Sequence, residues 1–266
     1  MSKNKKNRYT QLIEDIFFQY YSKSKTRVEF LRVDLEKTAK KLKMDLPKNL
    51  GDIIYSFKFR SPLPKSICDT SIDDKEWVIK NIGRAQYAFE LVKVARIIPD
   101  EILMTIKIPD ATPNIVDNYA LNDEQALLAK VRYNRLLDIF TGVTCYSLQN
   151  HLRTTVPDIG QVETDEIYVG VDKFGRQFVL PVQAKGGSDE IAIVQIEQDI
   201  LLCKHKYPKL ICRSIAVQFI DSNKICMFEF IISDNEIKKL YERHYELVSS
   251  SDISDEDLLN YNKINS

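Results

Sequence analysis

Acidic residues, a glutamine and a lysine are concentrated between positions 163 and 185. Glu163, Asp165 and Glu166 lie close together, seventeen residues separate Asp165 from Gln183, and Lys185 follows two positions later. A carboxylate binds Mg²⁺ through oxygen, and the metal activates water and neutralises the charge that develops on a phosphate. A lysine ammonium beside it holds the attacking water or stabilises the pentavalent phosphorane. These residue types indicate metal-dependent hydrolysis of a phosphodiester.

A β-hairpin is the element that must bring these groups together. Beyond residue 160 the period of the sequence changes from 3.6 to 2, which predicts two strands, over 161–171 and over 177–185. The segment 172–176 between them, Asp-Lys-Phe-Gly-Arg, is typical of a hairpin turn. The ends of the two strands farthest from this turn therefore lie side by side.

The length of the turn decides which acidic residue lies across from Gln183. A three-residue loop places Asp165 opposite Gln183 and Glu163 opposite Lys185. A four-residue loop shifts the pairing by one position and places Glu166 opposite Gln183. Both registers supply a carboxylate, so the main metal ligand among the three acidic residues stays open.

The spacing resembles the PD-(D/E)XK motif of restriction endonucleases and related nucleases. Asp165 stands for the first acidic residue, and Gln183-Ala-Lys185 stands for the second half of the motif. Position 164 is Thr rather than Pro, and Gln183 replaces the usual Asp or Glu, which implies a changed metal site. The resemblance covers roughly residues 120–235.

The resemblance also assigns roles to residues. In that fold a helix before the hairpin often brings a glutamate to the site, and Glu124 matches this role. The implied catalytic residues are Asp165, Gln183, Lys185 and Glu124. The implied Mg²⁺ ligands are Asp165 and Glu163.

Basic residues are concentrated in the first quarter of the chain. The net charge is zero, but residues 1–66 contain 16 Lys and Arg against 7 Asp and Glu, a balance of +9. The remaining residues contain 22 against 31, a balance of −9. Such an asymmetry is typical of a module that binds nucleic acid, although a solvated lysine-rich surface has the same composition.

Two short predicted helices in this basic region resemble a helix-turn-helix. The first runs from Leu35 to about Lys43, and the second runs roughly from Lys48 to Phe57, with Pro47 suited to its first turn. In that motif the second helix enters the major groove and basic residues around it hold phosphates. Arg153, in a predicted polar turn before the hairpin, is a further candidate, and an ordinary loop is the other interpretation. The residues predicted to contact DNA are Lys48, Lys58, Arg60 and Arg153.

The predicted fold is α/β, with a mixed central sheet flanked by helices and preceded by a mainly helical unit of helix-turn-helix or winged-helix type. The resemblance makes this sheet restriction-endonuclease-like. Other predicted helices cover 9–22, 75–98, 122–140, 190–204 and 235–247, and other predicted strands cover 102–108, 210–219 and 225–232. The predicted organisation is a DNA-recognition unit at 1–66, a connecting region at 67–118, a nuclease domain at 119–248 and an acidic, frayed tail at 249–266.

Cysteine and histidine patterns argue against a zinc site. The five cysteines contain no CxxC pair and the three histidines are far apart, so carboxylates must hold any metal. No apolar stretch approaches the roughly 20 residues that span a bilayer. The N-terminus has no apolar signal segment. We expect a cytoplasmic protein that does not bind a membrane.

The sequence therefore favours a Mg²⁺-dependent endonuclease that cleaves double-stranded DNA, in particular a type II restriction endonuclease. A repair or junction-resolving nuclease of the same fold is one alternative. A DNA-binding regulator without catalytic activity is the other. A homodimer is expected by analogy, because cutting both strands requires two active sites.

Overall fold

A computed structural model of the chain describes residues 8–119, 124–157, 159–186, 189–233 and 236–263. The chain divides into two units. The first unit comprises Met1–Arg96, Thr155–Val162 and Ala192–Val194. The second unit comprises Ile97–Thr154, Glu163–Ile191 and Gln195–Ser266.

Both units contain helices and strands. The α-helices of the described residues are α1 (Thr10–Tyr20), α2 (Arg32–Lys41), α3 (Gly51–Tyr55), α4 (Lys65–Cys68), α5 (Asn114–Asp117), α6 (Glu124–Tyr133), α7 (Leu136–Thr141), α8 (Ile193–Lys206) and α9 (Asp255–Tyr261). The strands are β1 (Arg27–Leu31), β2 (Glu76–Gly83), β3 (Gln86–Val92), β4 (Arg96–Ile97), β5 (Thr105–Pro109), β6 (Thr144–Val156), β7 (Gly160–Val171), β8 (Gln177–Lys185), β9 (Ile191–Ala192), β10 (Ile211–Cys212), β11 (Ser214–Phe219), β12 (Lys224–Ser233) and β13 (Glu236–Val248). A π-helical turn spans Ser56–Arg60 and a 3₁₀ turn spans Ser250–Asp252.

The first unit contains an antiparallel sheet in the order β1-β3-β2. The amphipathic helix predicted over 9–22 is confirmed as α1, and Phe17 from its buried face packs edge-on against Trp77 and Phe89. The helix predicted over 75–98 is wrong, because this segment forms β2 and β3. Trp77 and Ile79 are both buried and lie two positions apart, which is the period of a strand with one face on a core.

The basic region of the first unit differs from its prediction in its boundaries. Helix α2 begins three residues earlier than predicted, and Asp34 lies inside its first turn, where its carboxylate accepts from the Leu31 N–H at 2.8 Å. The second helix, predicted over 48–57, begins and ends about three residues later than predicted. Helix α3 begins at Gly51, whose N–H donates to Asn49 at 3.1 Å, and the π-helical turn continues it to Arg60.

The second unit contains the large mixed sheet, in the order β5-β13-β12-β11-β8-β7-β6 with β10 beside β8. Strand β8 is parallel to β11 and antiparallel to β7. On one face, Leu127 and Val131 of α6 pack into a core with Val182 of β8. On the other face, Ile200 of α8 lines a cavity together with Phe230 of β12. The predicted mixed sheet flanked by helices is therefore present.

Two predicted helices of the second unit differ from the structure: one is a strand, and the other is broken into two helices. The segment predicted as a helix over 235–247 is β13, which lies between β12 and β5 in the sheet. Buried residues on its two faces, His244 and Tyr245, obscure the period of two. The helix predicted over 122–140 is broken at Arg135, whose φ of 49° lies in the left-handed region. The first two residues of the predicted range, Asn122 and Asp123, lie outside the described residues.

The tail also has more structure than predicted. Helix α9 is capped by Ser254, whose hydroxyl accepts from the Asp257 N–H at 3.1 Å. The Lys107 N–H of β5 donates to the Tyr261 hydroxyl at 2.9 Å, and the Lys107 ammonium pairs with Asp257 at 3.1 Å. These bonds fix α9 against β5 at the edge of the sheet, although this segment was predicted to be frayed.

Candidate functional site

The β7–β8 hairpin has a three-residue loop. Val171 pairs with Gln177 and Glu166 pairs with Val182, so the register is the one that aligns Asp165 with Gln183. The turn is closed by the Asp172 N–H, which donates to the Arg176 carbonyl oxygen at 3.1 Å. Gly175 has a φ of 78°, which is the left-handed conformation that the last loop residue requires. The four-residue alternative is excluded.

Beyond the last regular pair, side chains join the ends of the two strands. The Asp165 carboxylate accepts from the Ala184 N–H at 2.8 Å, and the Gln183 amide donates to the Glu163 carbonyl oxygen at 3.2 Å. The Asp165 carboxylate is therefore held at the end of β8, one residue before Lys185.

Lys185 and Glu124 meet beside Asp165. The Lys185 ammonium donates to the Glu124 carboxylate at 2.6 Å, and their side chains are 14% and 40% exposed. Burial raises the pKa of Asp165, while the Ala184 N–H and the charge of Lys185 lower it and the charge of Glu124 raises it. Three predicted catalytic residues, on β7, β8 and the start of α6, thus lie close enough to interact electrostatically.

His151 is a neighbour of this site that the sequence did not single out as a site residue. It lies in β6 with a φ of 47°, and its exposed ring has Nε2 at 3.0 Å from the Gln125 amide, next to Glu124. A positive charge on its ring lowers the pKa of Asp165. A left-handed residue inside a strand is uncommon and is found preferentially at functional positions. No periodic pattern predicted β6, so this proximity had no signal in the sequence.

Gln183 is buried within a polar cluster on the α8 side of the sheet. Its amide nitrogen donates to Asp199 at 2.9 Å, and its amide oxygen accepts from Gln195 at 3.1 Å. Asp199 also accepts from the Thr164 hydroxyl at 2.5 Å. Burial raises the pKa of Asp199 to about 8, despite these hydrogen bonds. The only hint of Asp199 in the sequence is a carboxylate among the apolar residues of α8.

The other two acidic residues of the hairpin are held by arginines. Glu163 pairs with Arg153 at 2.8 Å on an exposed surface, so Arg153 lies on β6 beside the hairpin rather than in a turn. Glu166 is buried and accepts from Arg132 at 2.9 Å and from the Ser147 hydroxyl at 2.6 Å. A metal ion would therefore compete with an arginine for Glu163 and for Glu166.

The candidate DNA contacts of the first unit differ in their exposure. Lys48 and Arg60 are exposed, and the Arg60 guanidinium lies 5.0 Å from the centre of the Tyr55 ring. Lys58 is only 7% exposed. Its ammonium donates to Asn81 at 3.3 Å.

A buried cluster of Cys226, Glu242 and His244 has the residue types of a metal site. Their ligand atoms lie within 4.8 Å of one another, and no other such group of three is found in the described ranges. Glu242 accepts from His244 at 2.9 Å, from the Asp100 N–H at 2.6 Å and from the Lys239 ammonium. Burial acts to raise the pKa of Glu242, but these donors leave it below its usual range. The Cys226 thiol also donates to Glu242, at 3.6 Å, so donors already occupy both carboxylate oxygens, and we assign these residues to a hydrogen-bond network.

Comparison of the chain with models of protein families, with curated proteins and with solved structures finds no match. Within the part of the chain that the structure describes, no helix is both long enough and apolar enough to cross a bilayer.

Proposed function

We propose that this chain is a metal-dependent endonuclease that hydrolyses phosphodiester bonds in double-stranded DNA. The observation that carries the proposal is the meeting of Asp165, Lys185 and Glu124, which come from three elements and are far apart in sequence. A carboxylate accepting a backbone N–H at a strand end, beside a lysine paired with a second carboxylate, supplies the charges that phosphodiester hydrolysis requires.

The carboxylates of Asp165 and Glu124 are the residues that fit a magnesium ion. Mg²⁺ is commonly held by one or two carboxylates together with water and substrate phosphates, so this donor set has the right chemistry. Glu163 is a further proposed ligand, once Arg153 has moved to another partner. A bound Mg²⁺ supplies an activated water and neutralises charge on the phosphate.

Lys185 is proposed to act on the substrate directly. Its ammonium carries three N–H donors, which suit the attacking water or an oxygen of the phosphate. Glu124 orients this ammonium through their short ion pair. Gln183 is proposed to support the site through its bonds to both strand ends. His151, whose ring contacts the Gln125 amide next to Glu124, is proposed as a further polar group of the site.

The finer assignments belong to the same proposal. We propose a restriction-endonuclease-like sheet in a type II restriction enzyme that acts as a homodimer in the cytoplasm. The basic first unit is proposed to hold DNA, with α2 and α3 forming the helix-turn-helix. The charge of +9 in residues 1–66 supports this. The candidate phosphate contacts are Lys48, Arg60 and Arg153, whereas Lys58, which is 7% exposed and donates to Asn81, would have to leave its buried position to reach DNA.

Cleavage of supercoiled plasmid DNA in Mg²⁺ tests the proposal. Discrete linear fragments, abolished by a chelator, are the expected result. Cleavage confined to branched DNA would replace the restriction enzyme by a junction-resolving nuclease. Binding of DNA without cleavage in Mg²⁺ or Mn²⁺ would contradict the nuclease and would indicate a DNA-binding regulator.

A further inference from the structure

Asp199 is a buried carboxyl group that bridges the ends of β7 and β8. Its exposed fraction is 0%, and α8 surrounds it with apolar neighbours such as Ile196 and Ile200. One carboxyl oxygen accepts from the Thr164 hydroxyl at 2.5 Å and the other accepts from the Gln183 amide at 2.9 Å. A carboxyl group is costly to bury, so its place in this core must be offset by what it holds.

The two residues that Asp199 holds are chain neighbours of the proposed catalytic groups. Thr164 directly precedes Asp165, and Gln183 lies two positions before Lys185. The Ala184 N–H that binds Asp165 belongs to the residue between Gln183 and Lys185. A displacement of Thr164 therefore moves Asp165 directly, and a displacement of Gln183 moves it through the Ala184 N–H.

Gln183 has the hydrogen-bonding groups that this environment requires. Its amide nitrogen donates both to Asp199 and to the Glu163 carbonyl oxygen, and its amide oxygen accepts from Gln195. An acidic residue at position 183 has no N–H and would face two acceptors. A proton shared with Asp199 would replace at most one of the two lost bonds, and the Glu163 carbonyl oxygen would lose its donor from position 183.

We propose that Asp199 is a positioning residue of this site, which fixes the ends of β7 and β8 and requires glutamine rather than an acid at position 183. The inference rests on the proposed nuclease function. It explains why an amide occupies a position where the related motif carries a carboxylate. The acidic residue in contact with this position is instead Asp199 of α8.

A double-mutant cycle of thermal unfolding tests the pairing independently of cleavage. Asp199→Asn alone is expected to change the midpoint little, because an amide accepts from Gln183 and donates to Thr164. Gln183→Glu alone is expected to lower the midpoint by roughly 5–15 °C, since one buried and one partly buried hydrogen bond are lost. Combining both changes should recover at least half of this loss, because the new amide donates to the introduced carboxylate. Losses that simply add would overturn the inference.

The Mg²⁺ dependence of plasmid nicking, measured well below the unfolding temperature, tests the positioning role. Asp199→Ala is expected to raise the Mg²⁺ concentration for half-maximal nicking about tenfold, as loss of a supporting group does at metal sites. Asp199→Asn should restore it. Gln198→Ala, at another buried polar residue of α8, is the matched control and should leave it unchanged.

The two failures are distinguishable. Equal Mg²⁺ dependence of the wild type and Asp199→Ala would overturn the positioning role and leave the nuclease proposal intact. A folded wild type that does not cleave would refute the nuclease instead, and the unfolding cycle would still decide whether Asp199 and Gln183 are coupled.

Discussion

Replacing Asp165 by asparagine removes one negative charge from the site and little else. The new amide oxygen still accepts from the Ala184 N–H, which lies at 2.8 Å from the carboxylate. The free energy of unfolding should therefore change by less than about 1 kcal/mol, the net contribution of a typical hydrogen bond. Asp165→Ala also leaves that N–H without its acceptor, so it should cost about 1–3 kcal/mol.

Cleavage should respond far more strongly than stability. An amide is a poor ligand for Mg²⁺ compared with a carboxylate, and loss of one preorganised electrostatic group lowers a rate by about 10²–10³, or about 2.7–4 kcal/mol. The rate of plasmid nicking at saturating Mg²⁺, with thermal unfolding measured in parallel, separates the two effects. Both variants should still bind DNA.

The opposite end of the same hairpin provides the control. Asp172 accepts from the N–H groups of Phe174 and Arg176 in the turn. Asp172→Asn should leave the nicking rate unchanged. A wild-type nicking rate for Asp165→Asn, under conditions where the wild type requires Mg²⁺, would show that the catalytic carboxylate lies elsewhere.

Three further perturbations address the remaining groups. Lys185→Ala should lower the nicking rate by about 10²–10³ while DNA binding persists, and an unchanged rate would remove Lys185 from the mechanism. Changing Lys48 and Arg60 together to glutamine should make the slope of log K against log salt shallower by about 2, and an identical slope would place DNA binding elsewhere. Glu242→Gln should cost about 1–3 kcal/mol at neutral pH, because the Lys239 ammonium loses its charged partner but is 42% exposed and stays solvated. Since the pKa of Glu242 is lowered by folding, its contribution is present above the unfolded pKa and is lost as the pH falls through the folded pKa, so urea unfolding of the variant should depend less on acid pH.

Local patterns predicted the hairpin and the groups at its ends. The period of two and the Asp172–Arg176 turn are properties of neighbouring residues, so the sequence contains them directly. The meeting of Glu124 with Lys185 could be predicted only through a resemblance, because α6 and β8 are distant in the chain. Asp199 could not be predicted, since nothing in α8 indicates which strand residues its carboxylate meets.

The wrong helix over 235–247 and the missed strand β6 have a common physical cause. Strand β13 lies inside the sheet and buries side chains on both faces, which removes the alternation that identifies a strand. Strand β6 lies at the edge of the sheet and exposes most of its side chains, so it has no apolar period at all. In both cases the position of the strand in the sheet, which depends on distant residues, decides the pattern.

The pairing of β5 with β13 has a consequence for the order of events during synthesis. Thr105 pairs with His244 and Pro109 pairs with Val248, so 139 positions, about half of the 266-residue chain, separate the two partners. At about 5–20 residues per second, the ribosome delivers β13 many seconds after β5. During that interval the hairpin can form from its own residues, whereas β5 must wait with its edge unpaired. The second unit therefore closes late, with the arrival of its last strand.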